Sequence, residues 1–176
     1  MANEEQAVAA LILTGAPGSG KSSVLVELGT RLEIEGRAYG AFETEQLAQG
    51  SPLLRNEEWI PQLAAVLRLQ RELGRRLFLI AATLESESDL RGVIESTGAD
   101  KTLVVCLRAS AETLAERLDA REPASWPGKQ PLIDRARRLA EKIPNLDGID
   151  LVIDTEAADR DETVARILGA VTAGAG

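Results

Sequence analysis

Gly15-Ala16-Pro17-Gly18-Ser19-Gly20-Lys21-Ser22 is the stretch on which the reading of the whole chain turns. It fits the pattern G-x-x-x-x-G-K-[ST] and stands one residue after the apolar run Val8-Ala9-Ala10-Leu11-Ile12-Leu13. Glycines let the backbone turn where side chains forbid it, so that successive N–H groups can converge on a phosphate. Lys21 adds a point charge for β- and γ-phosphates, and the Ser22 hydroxyl suits the coordination shell of magnesium. The pattern needs a strand before it and a helix after it. Ser23 to Glu35 supplies the helix, with Val24, Leu25, Leu28 and Leu32 at helical spacing and Gly36 as its stop. The expectation is a bound nucleoside triphosphate, ATP by default, with Gly15, Ala16, Pro17, Gly18, Ser19, Gly20, Lys21, Ser22 and Ser23 around its phosphates and Ser22 on Mg2+.

Outward from this loop, apolar runs alternate with helical patterns, the signature of βαβ units and a parallel sheet in an α/β fold. Five strands are expected: Val8 to Leu13, Ala38 to Phe42, Leu77 to Ala82, Thr102 to Leu107 and Ile149 to Asp154. A helix from Glu57 to Leu73 has acidic residues in its first turn and Gly74 beyond its end, and Pro61 suggests an early break or restart. Ser86 or Ser88 can cap the next helix, which stops at Gly98, and Ser110 can cap another through Arg121. Pro131 sits naturally in the first turn of a helix ending near Ile143, and Asp159 or Asp161 can open the last one, whose tail from Thr172 to Gly176 is expected to fray. Residues 1–176 read as a single domain, with 122–130 (Pro123, Pro127 and Gly128) as a candidate lid loop.

Composition narrows the classes. Hydrophobic residues make up 44% and aromatics only 3%, so the core must be aliphatic, as in parallel sheets covered by helices. A net charge of −8, with no long basic run, argues against nucleic acid as a partner. No histidine is present, so any side-chain general base must be a carboxylate. The single cysteine, Cys106, lies in the apolar run Leu103 to Leu107 and reads as a small core residue. Met1 to Gln6 is acidic and lacks an apolar core, and no stretch is long and apolar enough for a membrane span, so a cytoplasmic protein is expected.

From Gly15 to Thr155 the order of features resembles the small P-loop kinases, especially gluconate kinases and adenylyl-sulfate kinases, with shikimate and nucleoside monophosphate kinases as wider relatives. The residues that carry the likeness are Phe42-Glu43-Thr44-Glu45, where such kinases often have a D-x-D-like pair, and Ala81-Ala82-Thr83-Leu84 running on to Asp89-Leu90-Arg91. Glu116-Arg117-Leu118 with Arg121, and the closing Val152-Ile153-Asp154-Thr155, continue it. The resemblance implies a three-layer P-loop NTPase fold, with a five-stranded parallel sheet ordered 2-3-1-4-5 and helices on both faces. It implies phosphoryl transfer from ATP to a small-molecule hydroxyl, with Arg117 against adenine, Thr155 in the adenine-side loop and Arg121 toward the phosphates. Two departures stand out. Glutamates replace the aspartates after strand two, and strand three offers no Walker B aspartate, which leaves magnesium to Ser22, phosphates and water.

Phosphoryl transfer asks a protein for positioning and charge stabilisation, here from Lys21 and Arg121, and for a group to take the hydroxyl proton. Glu43 and Glu45 are the candidates for that base; the other reading of this stretch is the first turn of a short exposed helix through Ala48. Arg135, Arg137 and Arg138 follow the proposed lid and can either reach in or remain surface charge. Thr83 and Glu85 stand either at the acceptor or in a plain helix-entry loop. Trp59 and Trp126 can sandwich a flat substrate or simply pack. Glu43, Glu45, Glu57, Glu58, Glu85 and Glu87 outnumber Arg55 and Arg91 on the expected acceptor side, so its field disfavours a strongly anionic acceptor. Two other functions compete: a nucleoside or nucleotide kinase, with Arg55 on the acceptor phosphate, and a nucleotide-binding regulatory ATPase without an acceptor. A guanine-reading N-K-x-D motif and an arginine finger in a recognisable second domain are both missing, which disfavours GTPase and AAA-type readings.

Overall fold

The computed structural model describes residues 7–173. The acidic segment 1–6 and the last three residues of the tail lie outside them. Five strands, β1 (Ala9–Thr14), β2 (Gly40–Glu43), β3 (Leu77–Ala81), β4 (Lys101–Arg108) and β5 (Leu151–Asp154), pair in parallel in the order β2-β3-β1-β4-β5. This is the expected three-layer fold and strand order. Each connection passes through helix: α1 (Lys21–Ile34), α2 (Thr44–Ala48), α3 (Asn56–Glu72), α4 (Glu87–Thr97), α5 (Ala111–Arg121), α6 (Lys129–Lys142) and, after β5, α7 (Arg160–Ala173). No helix among the described residues is long and apolar enough to cross a membrane.

Strand residues alternate between faces, and the two faces are covered by different helices. Leu11, Leu13, Leu79, Ala81, Val105, Leu107 and Ile153 pack against Leu25, Leu28 and Leu32 of α1 and Val164 and Ile167 of α7. Ile12, Phe78, Ile80 and Val104 face the other way, onto Leu63 and Leu67 of α3 and Leu90 and Val93 of α4. On the same side Cys106 joins α5 and α6 through Leu114, Leu118, Ala136 and Leu139. Burial pushes the Cys106 thiol up to about 11, in keeping with a core residue.

Where the elements differ from expectation, pairing and solvent explain it. β2 begins two residues late, because its first rung joins Gly40 to Phe78 and Ala38 would fall opposite Arg76, ahead of β3. Pro61 does not break α3. Its missing N–H would have met the carbonyl of Glu57, in an exposed first turn where water can serve that oxygen. Ser86 rather than Ser88 caps α4, accepting from Asp89 N at 3.2 Å, and Ser110 caps α5, accepting from Thr113 N. Asp159 opens α7, its Oδ1 accepting from Glu162 N at 2.8 Å. α7 continues through Ala173, and the rest of the tail expected to fray, 174–176, lies outside the described residues.

Candidate active site

The loop between β1 and α1 is held in left-handed turns at Gly15 (φ 142°), Gly18 (φ 84°) and Gly20 (φ 97°). At Gly15 space is also limiting, since a Cβ there would stand 2.3 Å from the carbonyl oxygen of Leu107 on β4. Lys21, the first residue of α1, folds back so that Nζ donates to the carbonyls of Gly15 (2.9 Å) and Ala16 (3.2 Å). Burial lowers its pKa to about 8, against the attraction of Glu45. The first turn of α1 holds no acidic residue, so the positive end of its dipole is unopposed. Ser19 Oγ is buried and has no hydrogen-bond partner among the described residues. A buried hydroxyl left unpaired beside a buried cation and a helix N-terminus fits an anion such as a triphosphate. Ser22, exposed beside them, offers the hydroxyl a magnesium ion would need.

This loop opens into a cavity of about 560 Å³. Pro17 to Ser23 line it, whereas Gly15 and Ala16 act from behind by holding Lys21. Both glutamates reach the same cavity. Glu43 ends β2, and Glu45 sits in the short helix α2, where its Oε1 accepts from Thr83 Oγ1 at 3.1 Å. The short helix and the carboxylate pair, set against each other as alternatives in the sequence, are thus both present. On the far side, Arg117 of α5 donates to Thr155 Oγ1 (3.1 Å) and Thr155 O (2.9 Å), and Thr155 N is tied to Arg108 O at 2.8 Å. Arg121 lines the cavity with its guanidinium on Glu122 Oε1 at 2.6 Å.

Other residues separate. Arg135 lines the cavity from α6 and is paired with Glu85 at 2.6 Å, while Arg137 lies outside and pairs with Asp134 at 3.7 Å. Arg138 and residues 122–130 are absent from the lining. Arg55 is also outside, turned to Glu57 and Glu58 at the start of α3. Trp59 is in the core with Nε1 on Asn56 Oδ1, and Trp126 stands half exposed in the turn before α6, so neither forms the wall of a sandwich. Sequence reasoning missed Ala158, Asp159, Arg160 and Thr163, which close the cavity beyond Thr155. Their signal was the helix-opening Asp159 only four residues past Thr155, which brings the start of α7 to the same edge. Among the described residues no group of three or more Cys, Asp or Glu side chains could hold a metal unaided.

A family model described as "AAA domain" matches residues 11–126, from β1 through the turn after α5. The chain belongs to that family. The matched span covers the phosphate loop and reaches the four strands β1 to β4. This AAA domain chain has no significant match by sequence among curated proteins. Its fold is similar to solved structures along nearly the whole length. A gluconokinase from Sinorhizobium meliloti 1021 is 23% identical with a TM-score of 0.63, covering 96% of this chain and 98% of that one. An APS kinase from Mycobacterium tuberculosis in complex with AMPPNP and APS is 16% identical with a TM-score of 0.68, covering 94% and 98%. A shikimate kinase from Acinetobacter baumannii in complex with shikimate is 14% identical with a TM-score of 0.58, covering 95% and 94%. At these identities the likeness establishes the P-loop kinase fold.

Proposed function

We propose that this protein is an ATP- and magnesium-dependent kinase that transfers the γ-phosphoryl group to a hydroxyl of a small molecule in the cytoplasm. The observation that carries the reading is that one cavity joins the phosphate loop to the carboxylates of Glu43 and Glu45. The solved kinases of like fold support it, one in complex with AMPPNP and APS and another with shikimate.

Pro17 to Ser23 would receive the triphosphate: backbone N–H groups and Ser19 Oγ face its oxygens, and Lys21 leaves the carbonyls of Gly15 and Ala16 to meet β and γ. Magnesium, when bound beside Ser22, supplies charge neutralisation of those phosphates. Arg117, already fixed by Thr155, would flank the base. Glu43 or Glu45 accepts the proton of the attacking hydroxyl. Arg121 is drawn toward the γ-phosphate as the 122–128 connection closes as a lid, which requires it to leave Glu122.

Acceptor-dependent formation of ADP and a phosphorylated product tests this reading. Lys21→Ala should reduce transfer at least about a hundredfold with the fold intact by circular dichroism; a fully active variant defeats the assignment. Release of phosphate to water alone would instead mark a regulatory ATPase. The nucleotide-kinase reading is the weaker alternative, because Arg55 stands outside the cavity and is engaged by two glutamates.

A further inference from the structure

The kinase reading leaves the acceptor open, and the charges on the cavity wall bear on it. Four arginines line the cavity; Arg117, Arg121 and Arg135 are each already engaged, and Arg160 opens α7 after β5, at the opposite end of the sheet order from β2 and Glu43. Arg117 donates to Thr155, Arg121 is paired with Glu122 at 2.6 Å, and Arg135 is paired with Glu85, Nε at 2.7 Å and Nη2 at 2.6 Å from the same oxygen. The carboxylates show the opposite condition. Glu43 and Glu45 both line the cavity, neither takes part in an ion pair among the described residues, and Glu45 accepts its hydrogen bond from the neutral Thr83 hydroxyl while attracting Lys21 at longer range. The remaining acidic residues that crowd this region in sequence drop out: Glu57 and Glu58 are taken up by Arg55, Glu85 by Arg135, and Glu87 is outside the lining.

Binding a carboxylate or phosphate on the acceptor would require an unpaired guanidinium or ammonium, since an anion placed beside two carboxylates is repelled. Two lining cations form no ion pair among the described residues: Lys21, buried in the phosphate loop with the unpartnered Ser19 hydroxyl, and Arg160, at the start of α7 on the β5 flank beyond Thr155, away from the strand that ends in Glu43. Transfer itself needs one carboxylate for the hydroxyl proton, and a second that forms no ion pair is in excess of that need. Building on the kinase reading, we infer that the acceptor is an amino alcohol: a small molecule bearing a hydroxyl and an ammonium group, without carboxylate or phosphate, whose cation is held by the Glu43–Glu45 pair. In the reaction the hydroxyl oxygen forms a bond to the γ-phosphorus, and the bond from that phosphorus to the β-bridging oxygen breaks. Its electron pair leaves with ADP. The hydroxyl proton passes to one glutamate and then to solvent, and the ammonium group is unchanged.

The test uses the full chain with Mg·ATP and matched acceptors that differ in charge on similar frames: glucosamine, glucose and gluconate; ethanolamine, ethylene glycol and glycolate; 2-deoxystreptamine, inositol and glucuronate. ADP release is followed in a coupled assay and products by mass spectrometry. The expected result is that the cationic member leads in each set that turns over, with kcat/KM at least tenfold above the neutral member. Glu43→Gln or Glu45→Gln should reduce that ratio below threefold through KM, leaving KM for ATP within threefold. A neutral or anionic member that leads, or a preference that survives both substitutions, overturns the amino-alcohol assignment and leaves the kinase standing. No phosphorylated product from any set, with or without ATP hydrolysis, overturns the kinase reading and this inference with it.

Discussion

Lys21 is a cation whose pKa the fold has brought from 10.5 to about 8 by burial, so it sits close to titration when no phosphate is near. Triphosphate oxygens favour the charged form and must raise that value again. Below pH 8 the lysine meets the nucleotide already charged; above it, binding has to draw a proton from solvent, and affinity should fall up to about tenfold per pH unit. Titrating a fluorescent ATP analogue at pH 7, 8 and 9 with fixed magnesium checks this, and equal affinities would contradict it. The stability side has its own sign. In the unfolded chain the lysine titrates near 10.5, so between pH 8 and 10.5 the fold is the less protonated state, and the contribution of this group to stability rises with pH. At pH 7 the native state carries the full cost of the buried charge, roughly 3 kcal/mol for a drop of this size. Lys21→Met should therefore melt no lower than the parent at pH 7 while losing nucleotide binding. Gly15 presents the opposite case, where function and stability fail together. A methyl group there would stand 2.3 Å from Leu107 O, at φ 142°, against the backbone of β4. Gly15→Ala should cost more than about 2 kcal/mol in urea denaturation.

Among the elements, the pair α5 and α6 with the connection 122–128 carries the moving part of the proposed mechanism. Trp126 in that connection is half exposed and Trp59 is buried, so Trp59→Phe leaves a single reporter. Closure of the lid should shield Trp126, lowering its quenching by acrylamide when Mg·AMPPNP is added; unchanged quenching argues that this connection stays open. The same elements show how far local sequence reaches. Caps at Ser86, Ser110 and Asp159 were readable because a short polar side chain, a helical apolar spacing and the next few N–H groups all lie within one turn. The place of Glu43 and Glu45 was readable too, since parallel strands send their C-terminal ends to one edge. Arg135 could not be told from Arg137 and Arg138, because which of the three faces the cavity depends on how α6 packs on α5 and on Glu85, fifty residues away. Trp59 likewise needed the sheet before it could be placed, as it is buried in a cluster that joins its own helix to β3 and α4.

For the molecule as a whole, ligand binding and folding are linked, because the loop that would hold the phosphates leads out of the central strand β1. At a hundred times Kd, a ligand of the native state adds about 2.7 kcal/mol, which in a chain of this size raises Tm by about 5–10 °C. Mg·AMPPNP should produce such a rise in a thermal scan, and chelating the magnesium should remove much of it; a Tm indifferent to both would speak against triphosphate binding. The strand order also divides the proposed labour in space. β1 is the seam: on one flank β2 and β3 lead to Glu43, Glu45 and Thr83, and on the other β4 and β5 lead to Arg117 and Thr155. Under the proposed division, changes in the span from Glu43 to Thr97 alter the acceptor side and leave the nucleotide side in place. Grafting that span between relatives should carry acceptor choice with it, making the sheet a pair of exchangeable halves.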